Sequence, residues 1–252
     1  MTTVTATADI APLGHDEAIA LAGEEYRRFA ALAASVRDDQ WALPTDCTGW
    51  TVRDLVGHLV GAERSAASVR EMASQQLEVA RRVRRLGGQA VDHMTAIQIE
   101  RTADLSEQAL VAECAALAPR AARGRGRTPA PVRRFVSIPV EAGPIRERWT
   151  MGYFVDVILT RDTWMHRVDL SRALGVEMAT DADHDGRIVA DIVAEWGRRH
   201  GQPFRLHLDG PAGGDFASGD DGESLTLDAV EFCRIVSGRA TGTGLLGQAV
   251  PF

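Results

Sequence analysis

Residues 150–175 read TMGYFVDVILTRDTWMHRVDLSRALG. No proline interrupts them. Thr150 suits a helix N-cap, and Gly175 stands where a helix closes on a left-handed glycine. The spacing predicts one long helix. Val155, Leu159, Asp162, His166, Leu170 and Ala173 follow one another at intervals of three or four and so share a face. A carboxylate and an imidazole thus stand one turn apart on a mostly apolar stripe. A buried carboxylate needs a cation or hydrogen-bond donors to offset its desolvation. A metal ion shared with His166 would supply that. A plain hydrogen-bonded pair at a core edge fits the spacing too, and only a third ligand elsewhere would tip the balance.

The whole chain of 252 residues has room for one large domain or two small ones. Its 45% hydrophobic and 25% charged residues are ordinary for a soluble globular protein. The net charge of −7 disfavours general binding to nucleic acid or anionic membranes, which needs a basic surface. All 28 basic residues are arginine, a coding bias that says nothing about mechanism. No apolar run approaches a membrane span. The start, MTTVTATADIAPLG, lacks the basic and apolar regions of a signal peptide. Cys47, Cys114 and Cys233 are widely spaced without a CxxC pair, as reduced cytosolic thiols would be. A cytoplasmic protein, monomeric or homodimeric, is the expectation.

Residues 1–13 read as a loose tail. His15–Val36 is a predicted first helix with Tyr26, Phe29 and Leu32 on its apolar face. A connector holds Trp41, Pro44 and Cys47. Thr51 and Asp54 form a T-x-x-D capping box that opens a second helix, running to about Met72 with Leu55, Val56 and Leu59 buried. An Arg-rich segment, Ala80–Leu86, ends at Gly87–Gly88, with only a weak helical pattern around it. Leu105–Ala122 is a third main helix, and the opening stretch is the fourth. Between them Arg123–Glu147, rich in Pro, Gly and Arg, reads as an irregular functional loop in which Phe135–Val140 is a short strand or lid. Its arginines are able to attract an anionic substrate, although each taken singly reads first as a solvated loop residue. After Gly175, Asp181–His200 is a helix, Phe204–Leu208 a strand and Gly210–Gly222 a turn region. Ser224–Leu227 is a short strand, and Asp228 caps a helix through Val236. The division expected is a helical bundle over 1–176 and a small α/β domain over 177–252.

The second helix carries His58, beside Leu55, Leu59 and Ala62. Alone it would be a satisfied core histidine. In a four-helix bundle, however, this helix and that of Asp162 and His166 are neighbours, and bundle interiors are where facing helices assemble metal sites.

Cys47-Thr48-Gly49-Trp50-Thr51-Val52-Arg53-Asp54-Leu55-Val56-Gly57-His58-Leu59 is followed about a hundred residues later by Arg161-Asp162-Thr163-Trp164-Met165-His166-Arg167-Val168-Asp169-Leu170. Together they resemble the DinB-like metalloenzymes of the mycothiol-dependent maleylpyruvate isomerase family. The stretch from Asp228 through Ser237-Gly238-Arg239-Ala240-Thr241-Gly242 is similar to that family's small α/β domain, which is sterol-carrier-like. The fold implied is α+β, a DinB-like four-helix bundle followed by the small domain. The resemblance implies a divalent metal, usually zinc, held by His58, Asp162 and His166. Asp162 departs from the family, whose maleylpyruvate isomerases have glutamate there.

Two imidazoles and one carboxylate leave coordination positions open, as catalytic zinc sites do. In the family the incoming ligand is a low-molecular-weight thiol such as mycothiol. The function implied is a metal- and thiol-dependent transferase or isomerase acting on a small electrophilic, anionic substrate. A metal-dependent hydrolase on the same site and a non-catalytic small-molecule binder are the alternatives. Arg239 is the residue that the resemblance offers for a substrate carboxylate, against a plain helix-terminal arginine. Cys47 reads as packing. Asp169 reads as a solvated helix residue before it reads as an acceptor for His166. His93, His184, His200 and His207 show no partner spacing.

Overall fold

The computed structural model describes residues 4–142 and 145–252. They fall into two compact units, one of residues 14–177 and one of residues 4–13 with 178–252.

The first unit is helical. α1 (His15–Ala33), α2 (Val52–Ala67), α5 (Glu107–Gly126) and α7 (Leu159–Leu174) form a four-helix bundle, with α3 (Val69–Leu86) and α4 (Ala90–Glu100) laid against α2. Phe29, Leu55, Leu59, Leu110, Leu117 and Leu170, one or more from each bundle helix, meet in its core. The capping box opens α2 as expected: Thr51 Oγ1 accepts from Asp54 N at 3.2 Å, and Asp54 Oδ2 accepts from Thr51 N at 2.9 Å. The helix then stops sooner than its pattern indicates. Ser68 is extended, at φ −142° and ψ 116°, and caps α3 by accepting from Glu71 N. The Arg-rich segment is therefore the last part of α3.

The loop read over 123–147, of which 143–144 lie outside the described residues, is elsewhere more regular than its Pro, Gly and Arg content indicates. α5 continues through Gly126, α6 spans Ala130–Phe135, and β2 (Ser137–Ala142) pairs antiparallel with β3 (Ile145–Thr150), which leads into the long helix. Thr150 does cap that helix, accepting from Tyr153 N at 3.1 Å. Gly175 closes it in the left-handed conformation at φ 66°. Its first turns are π-helical over Tyr153–Ile158. Arg125, buried, donates to the Val155 carbonyl, to Thr160 Oγ1 at 2.6 Å and to Tyr26 OH at 3.2 Å. A guanidinium from α5 thus takes up a carbonyl of the widened turn, which is how such bulges are tolerated.

The second unit is α/β. β4 (Phe204–Asp209) pairs antiparallel with β5 (Gly214–Ser218) and parallel with β6 (Glu223–Asp228), in the order β1-β5-β4-β6. The segment read as a loose tail supplies β1 (Val4–Ala6), which pairs parallel with β5. β5 itself lies inside the stretch read as turn. α8 (Asp185–His200) and α9 (Ala229–Val236) complete the unit, α9 capped by Asp228 through Val230 N and Glu231 N. Among the described residues, no helix is long and apolar enough to cross a membrane.

Candidate metal centre

α2 and α7 present His58, Asp162 and His166 to one another. His58 Nε2 lies 3.9 Å from Asp162 Oδ2, and His166 Nε2 lies 3.4 Å from Asp162 Oδ1. One ligand atom from each of the three falls within 4.8 Å of the others. The imidazole centroids are 5.0 Å apart with the rings nearly perpendicular. Both rings are buried, while Asp162 keeps 30% of its side chain exposed. The α-helical register resumes at Leu159, past the π turn, so the i, i+4 geometry of Asp162 and His166 holds as the spacing predicts.

The connector before α2 covers this group. Trp50 N donates to Cys47 O at 2.9 Å across a tight turn whose Gly49 sits at φ 81°, a conformation that favours glycine. The turn brings Trp50 against both imidazoles, at 5.0 Å from His58 and 5.9 Å from His166. It also brings Cys47 to the far side of His166. Cys47 is not packing alone: its thiol donates to Asp169 Oδ2 at 3.3 Å and lies 3.7 Å from His166 Nδ1. Asp169 is not solvated either. Its carboxylate has no exposure and lies 3.1 Å from His166 Nδ1.

The two imidazoles stand in opposite electrostatic settings. Burial pushes His58 down to about 4, with the neighbouring His166 charge adding to the effect and Asp162 and Gln98 opposing it. Burial also acts against a charged His166. The Asp162 charge, then the bonds to Asp162, Asp169 and Cys47, outweigh it and hold His166 well above the usual histidine range. Positive charge is thus favoured between Asp162 and His166 Nε2, where a cation would serve equally.

The residues fit a divalent metal. Neither ring nitrogen of His58 meets a hydrogen-bond partner among the described residues, although both are buried. Such orphaned atoms are costly unless something binds them. The donor set is that of open zinc sites. Arg239 belongs to the other unit, on the turn that follows α9, where its backbone N–H donates to Arg234 O at 2.8 Å. The sequence reading passed over Trp50 and Gln98 and undervalued Asp169. The signal for Asp169 was present in its position one turn beyond His166.

Two crystal structures, of the mycothiol-dependent maleylpyruvate isomerase and of a mutant of it, share the fold. Each superposes with a TM-score of 0.56 at 16% identity, over 94% of this chain and 93% of its own. Two uncharacterized proteins from different strains of Mycobacterium tuberculosis are 58% identical over 33 residues, 13% of this chain. The chain spans only 18% of the length of these curated relatives. The model of the mycothiol maleylpyruvate isomerase N-terminal domain matches residues 22–171, which run from α1 into α7 and include His58, Asp162 and His166. That match takes in more than half of the sequence, and by it the chain belongs to the mycothiol maleylpyruvate isomerase family.

Proposed function

We propose that this chain is a metalloenzyme that uses a low-molecular-weight thiol of the mycothiol type to transfer to, or isomerise, a small electrophilic and anionic substrate. The observation that carries the reading is the convergence of one ligand atom each from His58, Asp162 and His166 within 4.8 Å, with both His58 nitrogens otherwise unpartnered. Zinc is the metal proposed, held by those three residues. Bound there, it would supply the Lewis acidity that lowers the pKa of an incoming thiol.

The chain's own residues do the rest. Asp169 accepts the His166 Nδ1 proton and so keeps the Nε2 lone pair turned inward. Trp50 lies over both imidazoles and shields that side from water. Asp162, partly exposed, marks the side open to a small molecule. Arg239 is the candidate from the C-terminal unit for a substrate carboxylate, supported by the chemistry of the guanidinium fork alone.

The test is elemental analysis followed by cobalt substitution. Purified protein is expected to hold close to one equivalent of divalent metal, and His58→Ala and His166→Ala to hold far less while keeping their helical circular dichroism. Addition of mycothiol to the cobalt form should raise an intense near-ultraviolet sulfur-to-cobalt absorption. Full occupancy in both alanine variants would defeat the metal reading. A cobalt spectrum indifferent to mycothiol would defeat the thiol reading.

A further inference from the structure

α4 lies along the part of α2 that carries Gly61, one turn beyond His58. A Cβ on Gly61 would come within 2.6 Å of Gln98 Cβ and 2.8 Å of Gln98 Cα. Only glycine allows Gln98 so close to α2, and residues three apart on a helix share a face. Gln98 is buried, and its amide is held at one end: Nε2 donates to Gln75 Oε1 at 3.2 Å. Gln75 is held in turn, donating to Gly61 O and to Glu71 Oε1, each at 3.0 Å. The carboxamide oxygen of Gln98 is left without a partner, as are both nitrogens of His58.

A neutral imidazole offers one donor and one acceptor, and a metal takes the acceptor. His58 Nε2 faces Asp162, so Nδ1 is the end that needs an acceptor behind it. We propose that Gln98 is the positioning residue of His58: its Oε1 takes the His58 Nδ1 proton, leaving the Nε2 lone pair turned toward Asp162 and His166. A hydrogen bond between them would satisfy two buried groups that are otherwise unpartnered. The two ligands are then backed by different chemistry, a carboxylate behind His166 and a neutral amide behind His58. The assignment gains its purpose from the metal reading above, but its geometry is a property of the metal-free chain.

The full chain, labelled with nitrogen-15 histidine and stripped of metal, tests it by long-range proton–nitrogen correlation, with His58→Ala giving the assignment. His58 is expected as the Nδ1–H tautomer. An Nε2–H tautomer in the wild-type protein overturns the proposal, whatever any variant does. In Gln98→Leu the tautomer should shift toward Nε2–H, while Gln98→Glu, which keeps an acceptor oxygen, should preserve Nδ1–H. Competition with a chromophoric chelator should show zinc affinity falling about 10–100-fold in Gln98→Leu and recovering in Gln98→Glu. Undiminished affinity in Gln98→Leu also overturns the proposal. A wild-type protein that binds no zinc would sink the metal reading instead, and the tautomer would still decide this one.

Discussion

Asp169, without any exposed surface, lies 3.1 Å from His166 Nδ1 and also accepts from the thiol of Cys47. This carboxylate fixes which nitrogen of His166 faces Asp162. Asp169→Ala should therefore weaken zinc binding by about 10–100-fold while leaving His58 and Asp162 in place. Chelator competition measures it, and unchanged affinity would show that the bundle alone orients the ring. Cys47→Ser, which keeps a donor to Asp169, should stay within a few-fold of wild type.

Asp162 is one methylene shorter than the glutamate that the family resemblance leads one to expect. It lies closer to His166, at 3.4 Å, than to His58, at 3.9 Å. Its side chain is partly exposed, so a longer one has space to turn. Asp162→Glu should retain bound metal, and Asp162→Ala should lose most of it, by elemental analysis. Metal lost equally in both would mean that the site is built for aspartate alone.

The long helix and the pairing of Asp162 with His166 were legible because both rest on local spacing. The convergence with His58 was legible through the family motif and the rule that bundles build sites between facing helices. The π turn was not, since it depends on Arg125 reaching Val155 from thirty residues away. α3 was legible only as a weak helical stretch beside the Arg-rich segment: its apolar residues do share a face, but the helix is mostly polar and buries only Gln75 and Val79. β1 is exposed at every residue and is held by backbone pairing to β5, which side-chain patterning does not record. Asp169 looked solvated because a charged residue on a helix usually is. Its burial follows from the Cys47–Trp50 turn folding back over α7, a contact between residues more than a hundred apart.

Glu25 of α1 and Arg167 of α7 form a buried ion pair, with Arg167 Nε donating to Glu25 Oε1 at 2.6 Å and Nη2 to Oε2 at 3.1 Å. Removing one partner strands a charge in the bundle. Arg167→Ala should cost about 3–5 kcal/mol in urea unfolding. Replacing both, by Glu25→Leu with Arg167→Met, should recover most of that loss because neither member of the pair is left buried without the other. A double variant as unstable as Arg167→Ala would show that packing, and not the stranded carboxylate, sets the cost.

Glu63 of α2 has no exposed surface, and its Oε2 meets no partner among the described residues. The thiol of Cys114 approaches Oε1 at 3.9 Å. Burial holds the Glu63 carboxyl well above its ordinary value, with the Glu113 charge adding to the effect and Cys114 opposing it. The folded chain therefore keeps a proton that the unfolded chain releases above the ordinary 4.5. Stability from this group is greatest at low pH and declines as pH climbs from that value toward the raised one, by up to about 1.4 kcal/mol per pH unit. Glu63→Gln, which holds its neutral shape at every pH, should remove that decline. Urea midpoints should diverge as pH climbs above the ordinary 4.5, the wild type falling relative to the variant. Parallel curves would mean that Glu63 ionises in the folded chain as readily as in the unfolded one.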